Sequence, residues 1–281
     1  MTIFTFTIRA EGVVYEWPAE KDKKNQISST FGESRLDHFH NGIDLPGKGA
    51  KILAPRDGRV LYRVNADFTP GEMPFGGGNT LILEHGTSAS THWTGYMHLT
   101  TFADSVLEDN PISTGDKIGV TGDTGHSGGP HLHFFIYAPH ERTMLNPLLF
   151  MNDLYYDDTL APEIKEWGVL LNDKFSTVNP KKPFRLSQDY PVYIFLQDHG
   201  RGKERWGVFD YRVVLDNKEV LKTTFDKIFF KDGEWVLSSG HKFEDIFYRN
   251  FYSLTRQLRR SKEVFVEAKD IKGNTFSQKY T

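Results

Sequence analysis

The segment that most constrains this chain is Gly129-Pro130-His131-Leu132-His133-Phe134-Phe135-Ile136, which follows a glycine-rich approach at 121–128. Aromatic and branched residues after a glycine-rich turn predict a β-strand. Because side chains alternate along a strand, His131 and His133 are predicted to share one face, opposite Leu132. Two imidazoles on one face can bind a metal or transfer protons, provided that other parts of the chain supply partners.

Composition narrows the fold class and the possible metal ligands. A chain of 281 residues with 38% hydrophobic and 14% aromatic residues, 25 Gly and 13 Pro is typical of one or two β-rich domains with many turns, not of a disordered chain or a helical bundle. The sequence contains no apolar run long enough to predict a transmembrane segment. Zero cysteines exclude disulfides and thiolate ligands, so a metal must be bound by His, Asp or Glu.

Charge is divided unevenly along the chain. Residues 1–158 hold 12 Lys and Arg against 20 Asp and Glu, a net of -8, whereas residues 159–281 hold 22 against 17, a net of +5. The basic half could bind the acidic half or an anionic polymer, and chance imbalance between two solvated surfaces explains the pattern equally well. The modest excess, without a recognition motif, argues against nucleic acid as a partner.

The first half reads as short strands separated by Gly and Pro turns, which predicts an antiparallel β domain over residues 1–158. Within it, His40 and Asp44 lie four residues apart in a segment that Gly42, Pro46 and Gly47 mark as a turn leading into a short strand. The 14-residue stretch 65–78 is long for a connection, so it is predicted to form the wall of a binding groove.

The second half, 159–281, is predicted to be an Ig-like β-sandwich, beginning after the acidic and aromatic stretch 152–158. Four segments read as strands and two clusters as turns; the strands are Glu163–Leu171, Tyr190–Asp198, Phe209–Asp216 and Glu263–Asp270, and the turns are 216–217 and 272–274. Apolar residues at helical spacing predict an inserted helix over 241–260 with a basic end. Packing on its own sandwich is the favoured role of that helix over binding a partner.

Three motifs in order, His40-x-x-x-Asp44, Tyr96-x-His98 and Thr124-Gly125-His126 through Pro130-His131-Leu132-His133, resemble the lysostaphin/LytM family of zinc metalloendopeptidases. The resemblance covers about residues 26–150. It implies an antiparallel β metallopeptidase core, one zinc ion per chain and bacterial peptidoglycan as substrate. It also implies an exported protein of the periplasm, cell envelope or exterior. The start of the chain lacks a basic-then-apolar leader, so the alternatives are a cytosolic protein or a leader already removed.

By this resemblance, His40, Asp44 and His133 would be the zinc ligands. Two imidazoles and one carboxylate leave a fourth tetrahedral position for water, which is typical of a catalytic zinc site. The resemblance then implies that zinc-bound water attacks the peptide amide. His131, on the face of His133, would accept the proton, and His98 would orient the water or stabilise the oxyanion.

Other residues have lesser predicted roles. Tyr96, His126 and Asn79 are possible substrate-groove residues, and His38 is predicted to lie at the rim. The remaining histidines are predicted to be structural or on the surface; they are His85, His92, His140, His199 and His241.

One position departs from the family pattern. Phe135 occupies the place where relatives commonly carry an acidic residue. If that carboxylate orients a zinc ligand, another group or a backbone carbonyl must do so here.

Two other functions remain open from the sequence. One is a catalytically silent module that binds the cell wall or activates another hydrolase, although this chain retains all five predicted site residues. The other is a zinc peptidase that cuts Gly-rich proteins. For the second domain, the sequence predicts a role in positioning the catalytic domain on the wall or covering part of its groove.

Overall fold

The structure is a computed structural model that describes residues 14–20, 27–66, 76–87, 90–151, 158–179, 186–199, 205–256 and 258–280. The chain divides into two compact units, Met1–Ile27 with Gly42–Tyr156, and Ser28–Asn41 with Asp157–Thr281. The sequence predicted a boundary at 158 but not the inclusion of Ser28–Asn41 in the second unit.

Aromatic packing explains why this early segment belongs to the second unit. The Phe39 ring lies 6.5 Å from that of Phe225, 5.3 Å from Phe243 and 6.0 Å from Phe247, all edge-on. Aromatic residues bury large apolar areas, so one such anchor holds a short segment firmly. No periodic pattern in the sequence reveals this pairing, because Phe39 lies 186 to 208 residues before its partners.

The described residues of the first unit contain ten short strands, in line with the short strands that the sequence predicted. They are β1 (Ile43–Pro46), β2 (Lys51–Leu53), β3 (Gly58–Val64), β4 (Thr80–His85), β5 (His92–Met97), β6 (Leu99–Phe102), β7 (Pro111–Ile112), β8 (Lys117–Thr121), β9 (His131–Ala138) and β10 (Thr143–Leu145). A 3-10 turn, Pro147–Leu149, follows them. The main sheet has the order β10-β9-β5-β4-β3-β7, with β1 also paired to β9, and β2-β8-β6 form a second sheet.

Strand β9, the predicted histidine strand, is central to the main sheet. It pairs antiparallel with β1 along its first half and with β10 along its second half, and with β5 on its other edge. Leu132, Phe134 and Ile136 are fully buried. The strand is therefore fixed on both edges and on its apolar face, which leaves the His131–His133 face to build a site.

A buried hydrogen-bond chain crosses the middle of the main sheet. His85 Nδ1 lies 2.9 Å from the Asp57 carbonyl oxygen, His85 Nε2 lies 2.7 Å from Thr94 Oγ1, and Thr94 Oγ1 lies 2.8 Å from Tyr96 Oη. Because a carbonyl oxygen can only accept, Nδ1 carries the imidazole proton; Thr94 then donates to Nε2, and Tyr96 donates to Thr94. Gly58 is required beside this chain, since a Cβ there would lie 2.3 Å from the Glu84 carbonyl oxygen.

Within its described residues, the second unit has two main antiparallel sheets and a hairpin. Its strands are β11 (Glu163–Leu171), β12 (Lys174–Val178), β13 (Val192–His199), β14 (Arg205–Trp206), β15 (Asp210–Leu215), β16 (Lys218–Thr224), β17 (Lys227–Lys231), β18 (Glu234–Leu237), β19 (Phe247–Tyr248), β20 (Phe251–Thr255), β21 (Val264–Lys269) and β22 (Thr275–Tyr280). One sheet has the order β12-β11-β13-β20-β19, with β14 on β13, and the other has the order β16-β15-β21-β22. Strands β17 and β18 form the hairpin.

Aromatic contacts join the two main sheets of the second unit. The Tyr211 ring lies 5.2 Å from that of Tyr252, and Trp167 meets Tyr280 at 5.0 Å. Tyr211 also donates a hydrogen bond to the Ser253 carbonyl oxygen. The prediction of a β-rich second domain is confirmed, whereas its Ig-like class stays a prediction.

The predicted helix over 241–260 is wrong for most of its length. Helix α1 spans Phe243–Ile246, and the chain then turns into the β19–β20 hairpin. Arg249, in the hairpin turn, has a φ of +54°, which an α-helix does not allow. Residues Leu258–Arg260 form a 3-10 turn. The apolar spacing that suggested a helix arises from one helical turn followed by an alternating strand.

Several predictions fall wholly or partly on residues outside the described ranges. They are the strands predicted near the start of the chain, most of the loop 65–78 and the boundary stretch 152–158. Among the described residues, no helix is long and apolar enough to cross a membrane.

Burial lowers the pKa of His85 from 6.5 to about 4, so we predict that this residue makes the first unit less stable in acid. Between those pH values the unfolded chain binds a proton that the folded chain excludes. The stability of the folded state is therefore full above about pH 6.5 and falls as the pH drops toward 4, by up to about 3 kcal/mol.

The variant His85→Gln removes this titration. Urea unfolding in EDTA should show it to be less stable than wild type by about 1–2 kcal/mol at pH 7.5, because the ring's hydrogen bonds are lost, and by much less at pH 4.5. The control His126→Gln, at an exposed position, should give the same small difference at both pH values. If His85→Gln lowered stability equally at pH 7.5 and pH 4.5, the acid sensitivity would not arise from His85.

Candidate metal centre and catalytic histidines

The pairing of β1 with β9 brings Asp44 opposite His133, and Pro46 opposite His131. Residues directly opposite each other on antiparallel strands present their side chains on the same face of the sheet. His133 Nδ1 lies 2.9 Å from Asp44 Oδ1, and both side chains are buried. His131 Nε2 lies 3.8 Å from the same carboxylate oxygen. Two of the three predicted ligands are thus brought together by strand register.

His40 reaches the same place through the turn that precedes β1. One ligand atom each from His40, Asp44 and His133 lie within 4.8 Å of one another, and all three residues are buried. Gly42 makes the turn possible, since a Cβ at this position would lie 2.4 Å from the Phe134 carbonyl oxygen and 2.9 Å from the His133 ring. The glycine of the His-Asn-Gly-Ile-Asp segment is therefore required by close packing.

A backbone carbonyl orients the His40 ring. His40 Nδ1 lies 2.7 Å from the Thr30 carbonyl oxygen, to which it must donate, so Nε2 carries the lone pair that can bind a metal. Histidine ligands commonly donate their second ring nitrogen in this way, which fixes the tautomer and raises basicity. The role of Thr30 could not be predicted from the sequence, because its backbone carbonyl, and not its side chain, accepts the hydrogen bond from His40.

The three residues fit a zinc ion. Zinc prefers four ligands from nitrogen, sulfur and oxygen, at distances that place neighbouring ligand atoms about 3.3 Å apart. The separation of 2.9 Å between His133 Nδ1 and Asp44 Oδ1 needs little adjustment to reach that value. Two nitrogens and one oxygen leave a coordination position, as catalytic zinc sites do.

The two remaining predicted histidines lie together beside this cluster. The ring centroids of His98 and His131 are 4.7 Å apart, and those of His98 and His133 are 6.3 Å apart. His98 follows β5 in a left-handed conformation with a φ of +65°, which directs its side chain away from the strand's regular alternation. The structure thus brings all five predicted site residues into one cluster.

Backbone carbonyls fix the tautomers of this histidine pair. His98 Nδ1 donates to the Thr124 carbonyl oxygen at 2.8 Å, and His131 Nδ1 donates to the Gly129 carbonyl oxygen at 2.7 Å. Each ring therefore keeps its lone pair on Nε2. Burial, with a smaller contribution from the neighbouring His131, lowers the pKa of His98 below its ordinary value, so His98 is neutral at pH 7 and can accept a proton.

Asn79 is a structural residue rather than part of a groove. Its side chain is buried, accepts a hydrogen bond from the Ala66 backbone N–H and donates to the Leu99 carbonyl oxygen. Backbone hydrogen bonds from His98 N to the Gly77 carbonyl oxygen and from Leu99 N to the Asn79 carbonyl oxygen hold the same bend. The prediction that Asn79 contacts substrate is wrong, because it instead supports the backbone next to His98.

Tyr96 is also misassigned by the sequence. It is fully buried, and its hydroxyl group donates to Thr94 Oγ1 within the chain that ends at His85. Burial raises its pKa well above the ordinary value, so the phenol stays protonated. A fully buried phenol cannot line a groove, so the predicted groove contact is wrong. His126, in contrast, is exposed in the glycine-rich loop, and its substrate role stays a prediction.

Phe135 shares the face of His133, as its position in the strand predicts. Its ring lies 6.2 Å from that of His133 and covers Gly95, where a Cβ would lie 2.0 Å from the Phe135 ring. Phe135 is buried, so it contributes an apolar wall to the site where the family pattern has a carboxylate. For His40, the backbone carbonyl of Thr30 supplies the orienting acceptor.

Comparisons with known proteins agree with this cluster. The sequence profile described as Peptidase family M23 matches residues 38–147, and a second profile, which carries no description, matches residues 161–281. The first match includes all five clustered residues. It confirms the resemblance to the lysostaphin/LytM peptidases that the three sequence motifs indicated.

Three curated relatives illustrate the range of the family. The chain is 32% identical over 120 residues to the peptidoglycan DD-endopeptidase ShyA of Vibrio cholerae, covering 40% of this chain and 25% of the relative. It is 26% identical over 186 residues to the glycyl-glycine endopeptidase ALE-1 of Staphylococcus capitis, covering 65% of this chain and 48% of the relative. It is 33% identical over 138 residues to the murein hydrolase activator NlpD of Escherichia coli, covering 49% and 31%.

The chain thus spans less than half the length of each of these curated relatives. The likeness lies in the part of the chain that carries the clustered histidines and Asp44. Residues 38–147 of this chain form a domain of peptidase family M23.

Proposed function

We propose that this chain is a zinc endopeptidase that hydrolyses the peptide cross-links of bacterial peptidoglycan. The observation that supports this most directly is the close approach of His40, Asp44 and His133, with two further histidines beside them. In this proposal the three residues bind zinc, and His131 and His98 carry out proton transfer. The peptidoglycan endopeptidase among its relatives supports the substrate class.

A zinc ion bound by this set would supply a Lewis acid that polarises the peptide carbonyl and makes water acidic enough to act near neutral pH. His131 and His98 each offer an Nε2 lone pair to the proton that leaves the water. Their ring centroids lie 4.7 Å apart, so either imidazole can take up this proton beside the other. The protonated ring is then the acid that delivers this proton to the leaving amine.

The second unit has a proposed role in positioning the peptidase domain on its substrate. Its basic balance of 22 Lys and Arg against 17 Asp and Glu after residue 158 supports contact with an anionic polymer. Deleting residues 159–281 would not test this cleanly, because Ser28–Asn41 pack as part of the same unit. Charge-reversal variants at exposed lysines are the better probe. Location in the cell envelope or outside the cell is part of the proposal.

Two alternatives keep specific support. The murein hydrolase activator among the relatives favours a silent module that stimulates another enzyme. The glycyl-glycine endopeptidase favours cleavage of Gly-rich peptides. The silent module is the weaker alternative, because all five site residues are present and the rings of His40, His98 and His131 are held in tautomers suited to binding metal or accepting protons.

Metal analysis of the purified chain is the first test. We expect one zinc per chain after dialysis, measured by mass spectrometry of the metal. His133→Ala should lose zinc, with an affinity at least about 100-fold lower in a chelator competition, because a ligand is removed. His131→Ala should retain it, because His131 is proposed to move a proton. Zinc loss in His131→Ala would contradict the division of roles.

Hydrolysis of cross-linked muropeptides is the second test, followed by chromatography and mass spectrometry of the products. The zinc-loaded chain should cleave them, and His131→Ala should be slower by about 100-fold or more, the usual contribution of a positioned general base. The exposed His126→Ala is the matched control for removal of one imidazole. Absence of cleavage in every metal condition would contradict the proposed endopeptidase activity and favour the silent module that activates another hydrolase. Cleavage of glycine peptides alone would favour a peptidase of Gly-rich substrates.

Tyr96→Phe separates structure from catalysis. Removing the hydroxyl group should lower the free energy of unfolding by about 1 kcal/mol, because Thr94 loses a buried hydrogen bond. The kcat of the folded enzyme should change less than about threefold, since the hydroxyl group points into the sheet. A loss of activity as large as that of His131→Ala would show that Tyr96 contacts the reacting groups.

A further inference from the structure

A second group of buried carboxylates lies in the second unit and has no part in the proposed peptidase chemistry. Asp158, Asp198 and Asp270 are 9%, 2% and 3% exposed, and one carboxylate oxygen of each lies within 4.8 Å of the others. They come from three separate segments: the stretch before β11, the end of β13 and the residue after β21. Burying three carboxylates together is costly unless something compensates their charge.

One oxygen in this group points to a missing partner. Asp158 Oδ1 accepts a hydrogen bond from the Leu160 backbone N–H at 3.1 Å, but the buried Oδ2 has no hydrogen-bond partner. One carboxylate oxygen of Asp158 lies within 4.8 Å of one of Asp270, and the positive charge of Lys272 offsets only in part the rise in the pKa of Asp158 that burial and Asp270 cause. Two ionised carboxylates can only accept, so their approach requires a positive charge or a proton between them.

The other two carboxylates are held in place from outside the cluster. Asn274 donates to Asp270 from its backbone N–H at 2.9 Å and from its side-chain amide at 2.7 Å. Asp198 Oδ1 accepts the His199 backbone N–H at 2.9 Å. These donors fix the orientation of the carboxylates but neutralise no charge. Consistent with this, burial and then the neighbouring Asp158 raise the pKa of Asp198 to about 8.

We propose that Asp158, Asp198 and Asp270 bind one Ca²⁺ ion. Calcium takes six to eight oxygen ligands at about 2.4 Å, so two oxygens bound to one ion lie no more than about 4.8 Å apart, and the three carboxylate oxygens meet this limit. An all-oxygen set favours calcium over zinc, which prefers nitrogen and sulfur. Backbone carbonyls and water would complete the shell, and the orphaned Asp158 Oδ2 becomes a ligand.

The ion has a structural role in this proposal. It joins the entry segment of the second unit to β13 and to the turn between β21 and β22, so the unit becomes more stable when calcium is present. Extracellular calcium modules bind with Kd values of about 10⁻⁴–10⁻³ M, and a comparable site here would be filled outside a cell. The inference does not depend on peptidase activity.

Thermal unfolding of the zinc-loaded full chain tests the proposal. We expect 5 mM CaCl₂ to raise the Tm of the second unit by about 5 °C or more relative to a chelated sample at pH 7.5, and the same concentration of MgCl₂ to raise it less. Titration calorimetry should give one calcium per chain. Absence of a calcium response, or an equal response to magnesium, would overturn the assignment.

Variants locate the site. Asp198→Asn keeps the shape of the side chain and removes one charge, so it should fold, show a Tm at or above that of wild type without calcium, and lose the calcium shift. Asp232→Asn, at an exposed turn of the same unit, is the matched control and should keep the full shift. His133→Ala should also keep it. A shift that survives in Asp198→Asn, or disappears in His133→Ala, would contradict the site.

Discussion

The peptidase site depends on the antiparallel register of β1 with β9, which places Asp44 opposite His133 at 2.9 Å. A slip of one residue would move His133 to the apolar face and carry Leu132 into the site, because side chains alternate with a period of two. The register is protected by burial of Leu132 and Phe134, which must stay on the core face. Burial of these apolar side chains thus sets the strand register, and the register places the metal-binding side chains of Asp44 and His133 together.

The second common device of the site is the backbone carbonyl. Each of three histidines, His40, His98 and His131, donates its Nδ1 proton to a carbonyl oxygen, which leaves Nε2 as the working nitrogen. Because a carbonyl oxygen can only accept, each neutral ring keeps its proton on Nδ1 and its lone pair on Nε2. This arrangement also explains how the site forms with Phe135 at the position of a carboxylate. Orientation is supplied by the fold rather than by a neighbouring acidic side chain.

Two groups of buried polar side chains, one in each unit, differ in how completely their hydrogen bonds are satisfied. In the first, Tyr96, Thr94 and His85 form a chain in which each donor meets an acceptor, ending at the Asp57 carbonyl oxygen. In the second, the carboxylates near Asp158 include an oxygen with no donor. Satisfied networks stabilise a core, whereas an unsatisfied charge cluster requires a ligand or a proton. This contrast is what separates a structural histidine from a candidate ion site.

The sequence by itself predicted the antiparallel β class, because strand alternation and glycine-marked turns are local signals. The five clustered residues and the family followed from the resemblance of three motifs over about residues 26–150, and the family profile matches residues 38–147. Only the tertiary structure decided that Tyr96 and Asn79 are buried supports, since their partners are distant in the chain. The structure also shows a short helix and a hairpin where a long helix was predicted over 241–260, and it places Ser28–Asn41 in the second unit. Burial and aromatic packing between remote segments override local periodicity, and the meeting of three aspartates from separate segments is likewise visible only once the chain is folded.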